Sequence, residues 1–331
     1  MHKVTVEAPA NIALIKYWGV EQFDPVVPAA PSLSMTLRVC RTRTTVQFDP
    51  EAPGDDEVLR VQDDGRLVPA SEDFRRPVVR YLDHLRRWAD RVGTFRVATR
   101  NTFPSRAGLA SSASGFAALT LAATEALGTP LAPGPASDVA RYSGSGSAAR
   151  SVWGGFVEWP GGEGLEAAQI APAAHWALRD LVAVVDTSPK TVSSREGHRR
   201  ATSSPFFDTR IAHLDDRRAA VRSALLDCDF ERLAPLVERE ATELHLIAMS
   251  SRPAIYYWRP GTLAVLEAVR ELRSEGVAAC ATMDAGPNVH VLCPPASTDA
   301  VTERLNGLSS VETVIEDGVG TGPSSDAEPL F

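Results

Sequence analysis

Asp284, Lys16 and Arg150 each stand in surroundings where a charge needs a reason. Asp284 lies in the turn Met283-Asp284-Ala285-Gly286-Pro287-Asn288, between apolar runs at 278–283 and 289–293 that read as strands. A carboxylate there either caps the turn or orients and accepts the proton of a substrate hydroxyl. Lys16 is the lone cation of the stretch Ile12-Ala13-Leu14-Ile15-Lys16-Tyr17. Its ammonium can snorkel to solvent or stand beside developing negative charge. Tyr17 lines the same pocket or fills the core. Arg150 follows Gly144-Ser145-Gly146-Ser147-Ala148-Ala149. Its planar fork suits a carboxylate or a phosphate. Ser145 and Ser147 either cap a helix or touch the same ligand.

A fourth feature is the small-residue run Gly108-Leu109-Ala110-Ser111-Ser112-Ala113-Ser114-Gly115. Glycine and alanine let a backbone approach a polyphosphate, and the first turn of a helix offers unpaired N–H groups and a positive dipole end. Serine hydroxyls can bond phosphate oxygens or hold Mg²⁺. The alternative is a small-residue helix start packed tightly on a strand. No lysine completes a Walker loop, so a phosphate cradle here is of another kind.

The elements that must position these groups follow from hydrophobic period. Residues 4–8, 33–39, 44–48 and 95–99 read as strands, with 33–39 and 44–48 as a paired set. Residues 50–65, acidic and containing Pro53-Gly54, read as a surface loop. Apolar positions at helical spacing predict an amphipathic helix over 74–92. Further helices are expected at 113–127, up to about 143, and at 217–226, 230–248 and 262–275, with strands at 154–159 and 181–185. The tail after Glu316 reads as irregular, with mobile last residues. Strands followed by helices, twice over, give an α+β protein of two lobes joined near 175–185, a first lobe at 1–178 carrying the small-residue run, the expected nucleotide-binding lobe if that run is a phosphate cradle, and a second lobe at 179–331 carrying the Asp284 turn.

The chain has 331 residues, with 34 Lys and Arg against 42 Asp and Glu, a net charge of −8. That balance speaks against nucleic acid or an anionic membrane as the main partner. Cys40, Cys228, Cys280 and Cys293 show no metal-ligand spacing, as expected of free thiols in a reducing compartment. The N-terminus has no signal-peptide pattern and no apolar run is long enough to span a membrane, so a cytoplasmic protein is expected. The histidines form no cluster; His245 and His290 read as core or rim residues.

The segment Ala8-Pro9-Ala10-Asn11-Ile12-Ala13-Leu14-Ile15-Lys16-Tyr17-Trp18-Gly19 resembles the N-terminal signature of the diphosphomevalonate decarboxylases. These belong to the superfamily of galactokinase, homoserine kinase, mevalonate kinase and phosphomevalonate kinase. The run at 104–115, Gly144-Ser145-Gly146-Ser147-Ala148-Ala149-Arg150-Ser151, Val192-Ser193-Ser194-Arg195-Glu196-Gly197 and the Asp284 turn resemble the family's other motifs, in family order over residues 8–288. The resemblance implies a small-molecule kinase fold with a ribosomal-protein-S5-like first lobe and a ferredoxin-like second lobe. It implies that ATP phosphorylates the tertiary 3-hydroxyl of a 3-hydroxy-3-methyl acid, after which phosphate and CO₂ leave an alkene. Asp284 and Lys16 would serve that transfer. Arg150 would hold the substrate carboxylate, and Tyr17, Ser145, Ser147, Ser194 and Arg195 would line the substrate, the last two at its distal phosphate. Gly108, Leu109, Ala110, Ser111, Ser112 and Ser114 would hold ATP, with Ser112 on Mg²⁺. A homodimer is implied in the same way.

The pattern breaks at two places. The family usually carries a lysine for the substrate's diphosphate after Lys-Tyr-Trp-Gly, where this chain has Val20. Polar residues before the Ser-Leu-Ser strand are replaced by Pro28-Ala29-Ala30-Pro31. The ATP half is thereby expected to be kept, and a less charged or more apolar 3-hydroxy acid becomes a second substrate reading, with Arg195, Arg199 or Arg200 able to replace the missing cation. A 3-hydroxyl kinase that stops before decarboxylation, and a nucleotide-binding sensor without turnover, are the competing readings.

Overall fold

The computed structural model describes residues 2–103, 111–160, 166–188 and 190–331. The first half runs through β1 (Lys3–Ile15), a hairpin of β2 (Val20–Phe23) and β3 (Val26–Pro28), β4 (Ser32–Asp49), β5 (Glu57–Val61) and β6 (Leu67–Pro69). It continues with α1 (Glu72–Trp88), β7 (Thr94–Asn101), α2 (Ser111–Ala126), α3 (Pro133–Ala140), α4 (Ala148–Ser151), β8 (Phe156–Trp159) and β9 (Ala168–Ala171). The second half holds β10 (Arg179–Val184), α5 (Ser194–Arg200), α6 (Phe207–Leu226), α7 (Phe230–Ser250) and α8 (Pro260–Ser274). It closes with β11 (Cys280–Thr282), β12 (Val289–Cys293), α9 (Thr298–Asn306) and β13 (Thr313–Gly318).

β4 is the hub of the larger sheet, which runs β6-β5-β7-β4-β8-β9 with β1 also paired to β4. β1 pairs antiparallel with both halves of β4. The segments 33–39 and 44–48 are therefore one continuous strand, not a pair. The reason is chemical: Cys40-Arg41-Thr42-Arg43 contains no turn former, so nothing reverses the chain. α2 lies on β1 and β4 through Ala113, Ala117, Ala118, Ala122 and Ala123, all fully buried. Small side chains let the helix sit close to the sheet.

The smaller sheet runs β11-β12-β10-β13, all antiparallel. The two sheets share one core. Ile12, Leu14, Leu33 and Met35 from the first pack with Val182, Val184, Leu214, Val221, Leu233 and Val237 from the second half. The fold is the two-lobed α+β architecture expected.

Other sequence expectations are corrected. The 50–65 loop contains β5, which pairs parallel to β7. Buried Asp56 precedes it and accepts from the backbone N–H of Phe95 at 2.9 Å and from Arg86 at 2.6 Å. The acidic composition hid the buried Val58 and Leu59. α6 begins ten residues before the expected start at Arg217, at Phe207. The C-terminal tail is tied down. Ser324 exchanges backbone hydrogen bonds with Glu7, Leu330 N–H donates to Thr45 Oγ1 at 2.9 Å, and Lys3 Nζ donates to the Phe331 carbonyl at 2.8 Å.

The main anchor of that tail is Asp317, fully buried at the end of β13. The β1–β4 ladder breaks where Pro9 faces Arg41 and Asn11 faces Thr36. The amides in the gap need partners. Asp317 supplies them, accepting from Arg38, Val39 and Cys40 N–H at 2.7, 2.9 and 2.9 Å. Asp317→Ala is expected to destabilise the protein by about 3 kcal/mol, the scale of buried amides losing a charged acceptor. A urea unfolding midpoint equal to that of the parent protein would contradict this role.

Candidate active site

Lys16 follows the end of β1, and Asp284 follows β11 by two residues. The smaller sheet packed on the larger one brings them together, with Lys16 Nζ 2.7 Å from Asp284 Oδ1. Lys16 is 1% exposed, while the Asp284 side chain is 34% exposed and opens on a cleft. The snorkelling alternative is therefore excluded. A second bond, from Lys16 Nζ to the Ala13 carbonyl at 2.7 Å, fixes the ammonium.

Burial pulls the Lys16 ammonium below its ordinary pKa, opposed by Asp284 and Glu240. Burial pushes the Asp284 carboxyl up, yet the charge and hydrogen bond of Lys16, with His290 and Arg150, bring it below the usual range. Asp284 is thus ionised at neutral pH and turned to the cleft.

The backbone of Lys16 is held by a network that sequence reading missed. Glu240, fully buried on α7, accepts the Lys16 N–H at 3.0 Å, and Arg210 of α6 donates to the Lys16 carbonyl at 2.8 Å. Arg210 also bonds Glu240, and Arg217 joins Glu240 at 2.5 Å and Glu243 at 2.6 Å. The available signal was Glu240 on the apolar face of α7 with Val237 and Leu244. His245 on the same helix is core, as expected. His290 is core as well and bonds Asp180 Oδ2 through Nδ1 at 2.7 Å.

Arg150, on α4, is 2% exposed. It donates to Ser32 Oγ at 2.6 Å and Asn11 Oδ1 at 3.2 Å, while its Nε is buried without a partner. Among the described residues no carboxylate lies within ion-pair distance of it. Burial lowers its pKa to about 10, so it stays charged. Buried charges are normally paired, so this cation is built for an anion that enters the cleft.

Tyr17 lines the cleft against Trp159 and His198, at centroid distances of 5.5 and 4.2 Å. A Cβ on Gly146 would meet the Tyr17 ring at 2.7 Å, so only glycine allows this approach. Ser145 and Ser147 line the same wall, their hydroxyls 3.3 Å apart, and Ser145 reaches Ser112 at 3.4 Å. Ser194 and Arg195 line the cleft as well. Ser111 and Ser112 sit at the start of α2, and Ser112 lines the cleft. Ser114 is corrected: fully buried, it bonds Thr42 Oγ1 at 2.6 Å and faces the sheet. Gly108, Leu109 and Ala110 lie outside the described residues.

Two further cleft residues went unnoticed in the sequence, Arg80 on α1 and His198 on α5. His198 Nδ1 accepts the Gly19 N–H at 3.1 Å, which leaves Nε2 as its donor. Phe23 from the β2–β3 hairpin lines the cleft, whereas Val20 and residues 28–31 do not. Ala29 instead braces the hairpin by donating to the Gly19 carbonyl at 3.3 Å.

Among the described residues no cluster of three His, Cys, Asp or Glu could hold a metal ion. No helix among them is long and apolar enough to cross a membrane.

With this geometry in view, two family models match. Residues 8–171 match the diphosphomevalonate decarboxylase-like N-terminal domain, and residues 180–326 match the mevalonate 5-diphosphate decarboxylase C-terminal domain. The chain belongs to the diphosphomevalonate decarboxylase family. The family resemblance read from the motifs is thereby borne out. Diphosphomevalonate decarboxylase mvd1 of Aspergillus fumigatus is 33% identical over 96% of this chain and 83% of its own. Phosphomevalonate decarboxylase of Haloferax volcanii is 32% identical over 99% and 100%. The solved structure of MDDEF in complex with MVAPP, AMPPCP and magnesium superposes with a TM-score of 0.89, at 35% identity over 97% of this chain and 98% of that one.

Burial lowers the pKa of both His198 and His245 to about 3. In the unfolded chain these rings protonate near pH 6.5. Between those values the unfolded state binds more protons, so stability falls as pH drops from about 6.5 towards 3. Each ring contributes a slope of at most about 1.4 kcal/mol per pH unit. His198→Asn keeps an acceptor for Gly19 and is expected to flatten the slope, read from urea midpoints at pH 5, 6 and 7; an unchanged slope would contradict the buried, neutral imidazole.

Proposed function

We propose that this chain is an ATP-dependent decarboxylase of a 3-hydroxy acid of the diphosphomevalonate type. It phosphorylates the 3-hydroxyl, then releases phosphate and CO₂ to give an alkene, isopentenyl diphosphate for the parent substrate. One observation carries this reading: the buried cation Arg150, without a counter-ion, faces the same cleft as the ionised Asp284 held by Lys16.

Each group has a task its surroundings suit. Asp284 accepts the hydrogen bond of the 3-hydroxyl and aims its oxygen at the incoming phosphoryl group. Its depressed pKa makes it a weak base but keeps it ionised. Lys16 holds Asp284 in place and adds positive charge where phosphoryl oxygens gather. Arg150 takes the substrate carboxylate. Its two Nη atoms each donate one bond, to Ser32 and Asn11, so part of the fork, Nε included, stays free for a ligand. A limited grip orients the carboxylate without quenching its charge. When the C–O bond to phosphate breaks, the electrons of the C–CO₂ bond form the alkene and CO₂ leaves.

ATP is the phosphoryl donor. Ser111 and Ser112 at the first turn of α2 offer hydroxyls on the wall beside Ser145, and Mg²⁺, held chiefly by nucleotide oxygens with Ser112, would neutralise phosphate charge. The family complex with AMPPCP and magnesium supports the same pair. We place the lobe boundary between residues 178 and 179, where β10 begins. We also propose a cytoplasmic homodimer. The unpaired thiols Cys40, Cys228, Cys280 and Cys293 support the compartment, and the family resemblance supports the dimer.

Release of ADP and CO₂ is measured across mevalonate, its 5-phosphate and its 5-diphosphate. Turnover of the diphosphate is the expected result, and ADP without CO₂ would make the chain a kinase instead. Asp284→Asn is expected to lower kcat about 10²–10⁴-fold while nucleotide binding persists; near-normal turnover would remove Asp284 from the chemistry.

A further inference from the structure

Arg80 stands on α1, outside the motifs that carry the family resemblance, yet it lines the cleft. Gly144 lines the same cleft, with φ of 83°. A Cβ there would meet Arg195 Nη1 at 2.5 Å and Arg80 Nη2 at 3.2 Å. Two guanidinium groups, from α1 and α5, thus converge on one glycine, and the missing side chain leaves them room.

Among the described residues neither Arg80 nor Arg195 has a carboxylate within ion-pair distance. Their neighbours do. Arg75 pairs with Glu72, Arg86 with Asp56, and Arg199 and Arg200 with Glu196. Arg195 and Arg199 both stack on Phe23, at 5.0 and 5.2 Å. Burial lowers the Arg195 pKa, the charges of Arg80 and Arg199 lower it further, and Asp24 and Tyr17 oppose them. Like charges held together without a counter-ion repel, and an anion between them turns that cost into attraction.

The position separates this pair from the transfer centre. Arg80 and Arg195 meet beside Gly144, whereas Asp284 is bonded to Lys16, and Arg150 to Ser32 and Asn11. The cleft therefore has a carboxylate and phosphoryl-transfer end at Arg150 and Asp284, and a second anion end at Arg80 and Arg195.

We propose that Arg80, together with Arg195, binds the terminal phosphate of the acid substrate and supplies the cation that Val20 does not. This rests on the decarboxylase reading above. The shared chemistry is a phosphate tail, present in both the 5-phosphate and the 5-diphosphate ester.

The test compares the parent protein, Arg80→Gln and the control Arg76→Ala, an exposed arginine of α1 that does not line the cleft. With the better of the two esters, Arg80→Gln is expected to raise KM for the acid about tenfold, leaving kcat and KM for ATP unchanged. Arg76→Ala is expected to behave as the parent. The ester that loses more discrimination shows which phosphate Arg80 holds. A rise in KM for ATP instead, or no change in either KM, overturns the proposal. Binding of inorganic pyrophosphate, read as a shift in Tm, is expected in the parent and reduced in Arg80→Gln. If the parent turns over neither ester, the decarboxylase reading falls; the anion site then stands if the pyrophosphate shift depends on Arg80 and falls if it does not.

Discussion

Lys16 and Asp284 are 268 residues apart in sequence and 2.7 Å apart in space. An ion pair removed from water on the lysine side is costly unless its geometry is fixed and its other bonds are satisfied. Much of the structure serves those conditions. Glu240 and Arg210 grip the backbone of Lys16 from two helices, and the Ala13 carbonyl accepts a second N–H of its ammonium. The pair in turn decides what the cleft can do. It keeps a carboxylate ionised where burial pushes the other way, and among the described residues it leaves Arg150 without a carboxylate partner.

The end of the cleft formed by Lys16, Arg150 and Asp284 is legible because its residues violate local rules. A lysine at the end of an apolar stretch, an arginine after Gly-Ser-Gly-Ser and an aspartate in a Gly-Pro turn each stand out from composition and period. The supporting network was not legible. Arg210, Arg217 and Glu240 sit on helices where charge is ordinary, and only packing of α6 on α7 shows that they are buried. Ser114 shows the converse failure. It belongs to a conspicuous motif, but helical geometry turns it to the sheet. In residues 50–65 acidic flanks mask a short strand, and in 33–48 two apolar runs form one strand because no turn chemistry separates them.

The cleft is asymmetric in its electrostatics. At one end hydrogen bonds fix the Arg150 cation and the Lys16–Asp284 ion pair, and ring contacts hold Tyr17. At the other, Arg80 and Arg195 are more open and are positioned by a glycine and the ring of Phe23. Fixed donors suit a transition state whose geometry is demanding. Looser forks suit a flexible phosphate tail. The replacement at Val20 falls at this second end, on a hairpin whose Phe23, not Val20, meets the cleft.

Asp317 carries a consequence for how the chain is made. Its carboxylate completes the amides of residues 38–40, which precede it by up to 279 positions. At about 5–20 residues per second of synthesis, those amides wait roughly 15–60 seconds for their acceptor to leave the ribosome. During that interval the two longest strands can pair on either side of the break but cannot seal it, and the apolar faces of β1 and β4 have no second sheet to cover them. Maturation of the first-made lobe is thus tied to the last-made strand. The ribosome-bound intermediate is an open sheet with unmet amides at its centre, the kind of species that chaperones shield from aggregation.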